Sequence, residues 1–164
     1  MTNRLTALFS TPDEAMTAIN DLSDVSFSEE QVSALMSDQT MGSSFDIEKG
    51  NKAGEGFTVG ASLTGVSTAV AAGLASAGVI AMPGINLVAT GPIVGALTGA
   101  GVGAAAGGSL GGIIGSTIPE YEAKIYEDSI KKGAVLVAVD FENDQQKNTA
   151  KEILEANNGQ KVAA

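Results

Sequence analysis

Val135-Leu136-Val137-Ala138-Val139-Asp140-Phe141-Glu142-Asn143 decides how the rest of the chain is read. The run from Val135 to Val139 is wholly apolar, which predicts a central strand buried on both faces. Asn143 then caps a helix, with Gln146 three residues on as its capping-box partner. That helix is predicted to run to about Ala156, where Asn157-Asn158-Gly159 stops it, and Lys161-Val162-Ala163 follows as a short edge strand. The beginning of the chain reads the same way. Leu5-Thr6-Ala7-Leu8-Phe9 predicts a strand, Thr11 an N-cap, Pro12 the first helical position and Glu14 a capping-box partner. Ala15, Ala18, Ile19 and Leu22 form the apolar face of a helix ending near Ser23, and Val32–Met36 predicts a second strand. An offset of 132 residues superposes the two readings: Leu5, Ala7 and Phe9 fall on Val137, Val139 and Phe141, Thr11 and Glu14 on Asn143 and Gln146, and Ala18 and Leu22 on Ala150 and Leu154. Two such βαβ halves make a ferredoxin-like α+β sandwich.

Between the halves lies a different kind of sequence. Gly91, Gly95, Gly99, Gly103, Gly107, Gly111 and Gly115 recur at every fourth position, and Ala61, Gly65, Ala69, Gly73 and Ala77 form an earlier row of the same step. Residues four apart share a helix face. Glycine inside a helix costs roughly 1 kcal/mol relative to alanine, so close packing has to stabilise such a segment. Small-residue rows allow helix backbones to approach one another. A step of four drifts about 40° per repeat on a straight helix, so the row sweeps past one partner and suggests several neighbours. These residues are the candidate self-association site. The expectation is a glycine-rich antiparallel helical hairpin with arms at Phe57–Ile80 and Pro92–Ser116, joined by a loop from Met82-Pro83-Gly84 to Gly91-Pro92. One extra helix follows, Pro119–Lys132, with acids early and bases late to suit its dipole. The domain plan is therefore 1–55 for the first half and a polar lead-in, 56–117 for the hairpin, and 118–164 for the linking helix and second half. Residues 37–55 read as loop.

Charge follows this division. Residues 1–55 carry 3 basic and 10 acidic side chains, residues 56–119 carry none, and residues 120–164 carry 6 basic and 9 acidic. A net charge of −10 repels phosphate backbones and argues against nucleic acid as a partner. Cysteine and histidine are both absent, which removes disulfides, thiolate nucleophiles and the commonest general base and metal ligand. The first residues lack the apolar core of a secretion signal, so the charged parts are expected in the cytoplasm.

Ala81-Met82-Pro83-Gly84-Ile85 through Gly91-Pro92, with the glycine-rich run after it, resembles the bacterial general stress protein family typified by the heat-induced and 17M-type stress proteins. So does Ile118-Pro119-Glu120-Tyr121-Glu122-Ala123-Lys124, continuing through Tyr126 to Gly133 and the Val135–Val139 strand. The likeness covers the insert and the last third of the chain, and the first strand and helix less specifically. It implies a bacterial, stress-linked protein with a glycine-rich hydrophobic insert, and it implies no known reaction and no catalytic residues. Residues 37–55 match no pattern of that family.

The remaining candidate sites have plain structural explanations. Gly99-Ala100-Gly101-Val102-Gly103 looks like a phosphate loop, but it sits inside the longer periodic row and no Walker lysine follows. Glu120, Tyr121 and Glu122 could form an acid–base cluster, yet a first helical turn favours carboxylates anyway. Tyr121 and Tyr126 read as packing residues with hydrated hydroxyls. Asp13 and Glu14 read as capping groups. Asp140, Glu142 and Asp144 could bind a divalent cation, but they lack the spacing of a calcium loop. The expected function is non-enzymatic self-assembly into homo-oligomers through the glycine rows, with no cofactor and no metal, in a cytoplasmic protein. Each arm exceeds the roughly 20 residues needed to span a bilayer. An inner-membrane hairpin that forms a pore or remodels the bilayer is thus the alternative, and a ligand-sensing α+β module is a third reading.

Overall fold

The computed structural model describes residues 3–25, 27, 28, 30–44, 47, 48, 58, 59, 79–82, 87–91 and 120–163. The chain opens with strand β1, Arg4–Phe9, and helix α1, Pro12–Asp24. Thr11 holds extended backbone geometry and its hydroxyl accepts from Glu14 N at 3.4 Å, as an N-cap should. Strand β2, Val32–Ser37, runs directly into helix α2, Asp38–Ser44, and short strands β3 (Ile47–Glu48) and β4 (Thr58–Val59) follow. Strands β5, Val79–Met82, and β6, Leu87–Thr90, precede helix α3, Glu120–Lys131. Strand β7, Val135–Asp140, helix α4, Asp144–Ala156, and strand β8, Gln160–Ala163, complete the fold.

Six strands form one antiparallel sheet in the order β5-β6-β2-β7-β1-β8, and β3 and β4 pair separately. β7 lies between β1 and β2, and β1 lies between β7 and β8, so each β–α–β unit is split by the first strand of the other. Strand alternation then sorts the core. Leu5, Ala7, Phe9, Val32, Ala34, Met36, Val135, Val137 and Val139 share one buried cluster with Ala15, Ala18, Ile19 and Leu22 of α1 and Ala150 and Leu154 of α4. Met41 brings α2 to the same cluster. Full burial of each leucine there contributes roughly 2 kcal/mol. The alternate residues Leu35, Leu136 and Ala138 are also buried, and α3 packs on that side against β2 and β7 with Tyr126 and Ile130 inside.

The 132-residue offset is written into the backbone. It carries the span of α1 onto that of α4, end to end. It carries the bonds Ala15 N to Thr11 O, Val25 N to Asp21 O and Phe27 N to Leu22 O onto Lys147 N to Asn143 O, Asn157 N to Ile153 O and Gly159 N to Leu154 O. In the β1–β7 register Thr6 lies opposite Ala138, its own counterpart, so a local twofold axis passes between those two residues.

The region between the halves corrects several expectations. Thr58–Val59 and Val79–Ile80, at the two ends of the first expected helical arm, are strands. The expected loop from Met82 to Gly91 contains β6, and β5 and β6 extend the main sheet instead of standing apart from it. Val-Ile-Ala-Met and Leu-Val-Ala-Thr are short apolar runs bounded by Pro-Gly and Gly-Pro, which is a strand-and-turn pattern. The expected loop at 37–55 contains α2 and β3. Ser37 caps α2 by accepting from Thr40 N at 3.1 Å, while its hydroxyl meets Thr40 Oγ1 at 2.8 Å. Residues 60–78 and 92–119, which hold the interiors of both expected arms and the Gly99–Gly103 segment, lie outside the described residues.

Candidate functional site

Of the expected self-association residues, Gly91 alone is among those described, and it leaves the helical row. It closes β6 with φ +81, a left-handed conformation that favours glycine. It is buried against β2, where a methyl group would run into the carbonyl oxygen of Val32 and lie 2.9 Å from Ser33 Cα. Its lack of a side chain therefore serves packing within the chain. Ala61, Gly65, Ala69, Gly73, Ala77, Gly95, Gly99, Gly103, Gly107, Gly111 and Gly115 lie outside the described residues.

The sheet fixes where the chain enters β5 and leaves β6. Val79 pairs with Thr90, Thr90 with Ala34, Val32 with Val139, and Arg4 with Asp140. The chain thus enters β5 and leaves β6 side by side, at the end of the sheet marked by Asp140. α3 ends in a glycine-capped turn: Ala134 N bonds Ser129 O, Gly133 N bonds Ile130 O, and Gly133 has φ 108. That turn leads into β7, and α3 packs against β2 and β7. Val79, where the chain enters β5, and Thr90, where it leaves β6, lie together at one end of the sheet.

A second feature is a cleft of about 290 Å³ between the end of α1 and the start of α4, lined by Val25, Phe27, Asn143, Gln145, Gln146 and Thr149. Asn143 Oδ1 accepts from Gln146 N at 2.9 Å, and Gln146 Oε1 accepts from Glu142 N at 2.8 Å. The reciprocal cap closes one residue earlier than the sequence pattern predicts. Val25 is 47% exposed on the cleft wall. Among the described residues the lining offers amides, a hydroxyl and apolar surface but no titratable group. Its chemistry suits holding a small neutral polar molecule and does not suit acid–base work.

The twofold counterpart of this cleft is closed. There Asn158, at φ 65, donates its side-chain amide to Glu14 Oε1 at 3.2 Å, and Asn157 donates to Asp21 Oδ2 at 2.9 Å. Glu14 is thereby turned toward α4, whereas the sequence pattern expects it to complete the cap of α1. Gly159 stands where the first half has Phe27, and a methyl there would lie 2.5 Å from Leu154 O. Glycine lets the chain close against α4 at one end, and phenylalanine lines the opening at the other.

Of the titratable candidates, Asp140 has a structural role. Asp140 receives a two-pronged bond from Arg4, Nε to Oδ1 at 2.5 Å and Nη2 to Oδ2 at 2.8 Å, and its backbone is held by Gln31. A carboxylate held this way is not placed to share a cation with Glu142 and Asp144, and no group of three metal-ligating side chains occurs among the described residues. Tyr126 is 2% exposed, so its hydroxyl is not the hydrated group expected of it. Glu120, Tyr121 and Glu122 fall in the first turn of α3. Among the described residues no helix is long and apolar enough to cross a membrane. No family model, curated protein or solved structure matches this chain.

Proposed function

We propose that this chain is a non-enzymatic, self-assembling protein of the general stress type. It is a ferredoxin-like α+β sandwich that presents small-residue segments for pairing with copies of itself. The observation that supports the reading is the β5–β6 pair, in which Val79 lies opposite Thr90, so the chain enters β5 and leaves β6 side by side. The halves' strand order, β2-β7-β1-β8 with helices after β1 and β7, supports the sandwich. The step-four rows from Ala61 to Ala77 and from Gly95 to Gly115 supply surfaces on which backbones can approach closely. Gly103→Leu blocks that approach, so the variant should sediment at a lower mass than the wild-type protein. An unchanged mass contradicts the reading. Fractionation of expressing cells sorts the setting: particles in the soluble fraction fit assembly in the cytoplasm, and protein that stays in the membrane pellet through alkaline carbonate moves the assembly to the bilayer.

The cleft beside Val25 favours a second reading, a ligand-sensing module. A thermal-shift screen of small neutral polar molecules tests it. A hit abolished by Gln146→Ala supports it, and a screen without hits removes it.

A further inference from the structure

We propose that β5 is the edge through which two copies of this chain join, strand to strand and antiparallel across a twofold axis. The proposal rests on the self-assembly reading and assigns that assembly a contact separate from the glycine rows.

Among the described residues the main sheet ends in two strands that pair on one side, β5 and β8. An edge strand presents unpaired N–H and C=O groups, and proteins commonly guard it with lysine, proline, bulges or short length. β8 carries such guards. Lys161 sits within it, and its register against β1 shifts between the Thr6 and Leu8 pairings. Two copies meeting there would bring like charges together, which opposes pairing. β5 is Val79-Ile80-Ala81-Met82, with no charge, proline or glycine inside it, and its two β-branched residues favour extended backbone. It lies within the 64 residues, 56–119, that hold no charged side chain. The strand itself therefore sets no charge against its copy.

The occupant follows from the geometry. An antiparallel pair of identical strands is self-complementary about a twofold axis, which is the commonest symmetry of homo-oligomers. Pairing β5 with its copy would join two six-stranded sheets into one. A four-residue strand supplies only a few hydrogen bonds, so the contact adds to the association made by the small-residue segments and sets its orientation.

The chain has no cysteine, so a single introduced thiol reports proximity cleanly. Ile80→Cys and Ala81→Cys are prepared separately, with Lys161→Cys on the opposite edge as the comparison. Each is treated with a short bis-maleimide and run on a denaturing gel. The proposal expects a dimer band from at least one β5 variant and several-fold less from Lys161→Cys. Bands of equal strength from all three, a band only from Lys161→Cys, or none from any overturns it. Ile80→Lys is the second arm: with circular dichroism unchanged, its mass in sedimentation should fall. Retained mass in that variant overturns the edge contact. Gly103→Leu separates the two readings. A β5 crosslink that forms while Gly103→Leu keeps its mass sinks the glycine-row reading and sustains the edge. Dispersal by Gly103→Leu without any β5 crosslink does the reverse.

Discussion

α1 and α4 have the same length, the same cap position and the same pattern of terminal bonds, 132 residues apart, yet their two meeting points differ. Where α4 ends near the start of α1, Asn158 reaches Glu14 and Gly159 lets the chain close tightly. Where α1 ends near the start of α4, Phe27 and Val25 border an open cleft. Local signals therefore reproduce a helix faithfully, whereas the turns after the helices differ in side chains: Asn157, Asn158 and Gly159 after α4, Val25 and Phe27 after α1.

The largest expected effect tests the equivalence of the halves. Leu22 and Leu154 are both 0% exposed and occupy matched positions. Leu22→Ala and Leu154→Ala should each cost about 2–5 kcal/mol in urea unfolding, with similar values. A near-zero cost for one of them breaks the comparison. Next come two glycines held against backbone. Gly159→Ala and Gly91→Ala should each lower stability by about 2 kcal/mol, the first through overpacking and the second through strain as well. If Gly91→Ala instead disperses an assembly while leaving the melting temperature unchanged, the packing role given to Gly91 is wrong. The smallest effect lies in the caps. Asn143→Ala and Thr11→Ala should cost about 1 kcal/mol each. Asn143 should matter more, because its bond is 2.9 Å against 3.4 Å for Thr11. The reverse order would mean that the caps contribute through something other than these bonds.

What was legible in the chain follows the same division. The strands and capped helices of both halves could be read because each signal is local: an apolar run, an N-cap, a stop at Asn-Gly. The offset between them could be read because the two copies share those signals. α2 was missed because Asp38–Ser44 has no apolar period and buries only Thr40 and Met41; the capping serine at 37 was its one cue. β5 was missed because the neighbouring small-residue row suggested a helix, and β6 because it fell in the expected loop between two helices, while the competing cue was two four-residue apolar runs bracketed by proline and glycine. The pairing of Arg4 with Asp140 was beyond reach, since it depends on β1 lying beside β7. The cleft was equally hidden: capping explained Asn143 and Gln146, and the contrast of Phe27 with Gly159 acquires meaning only once the twofold is known.

Self-assembly is the central claim, and sedimentation velocity of the wild-type chain without detergent tests it most directly. The account predicts a defined species at a multiple of 16.4 kDa that loses mass on Gly103→Leu substitution. A single 16.4 kDa species at every concentration would contradict it.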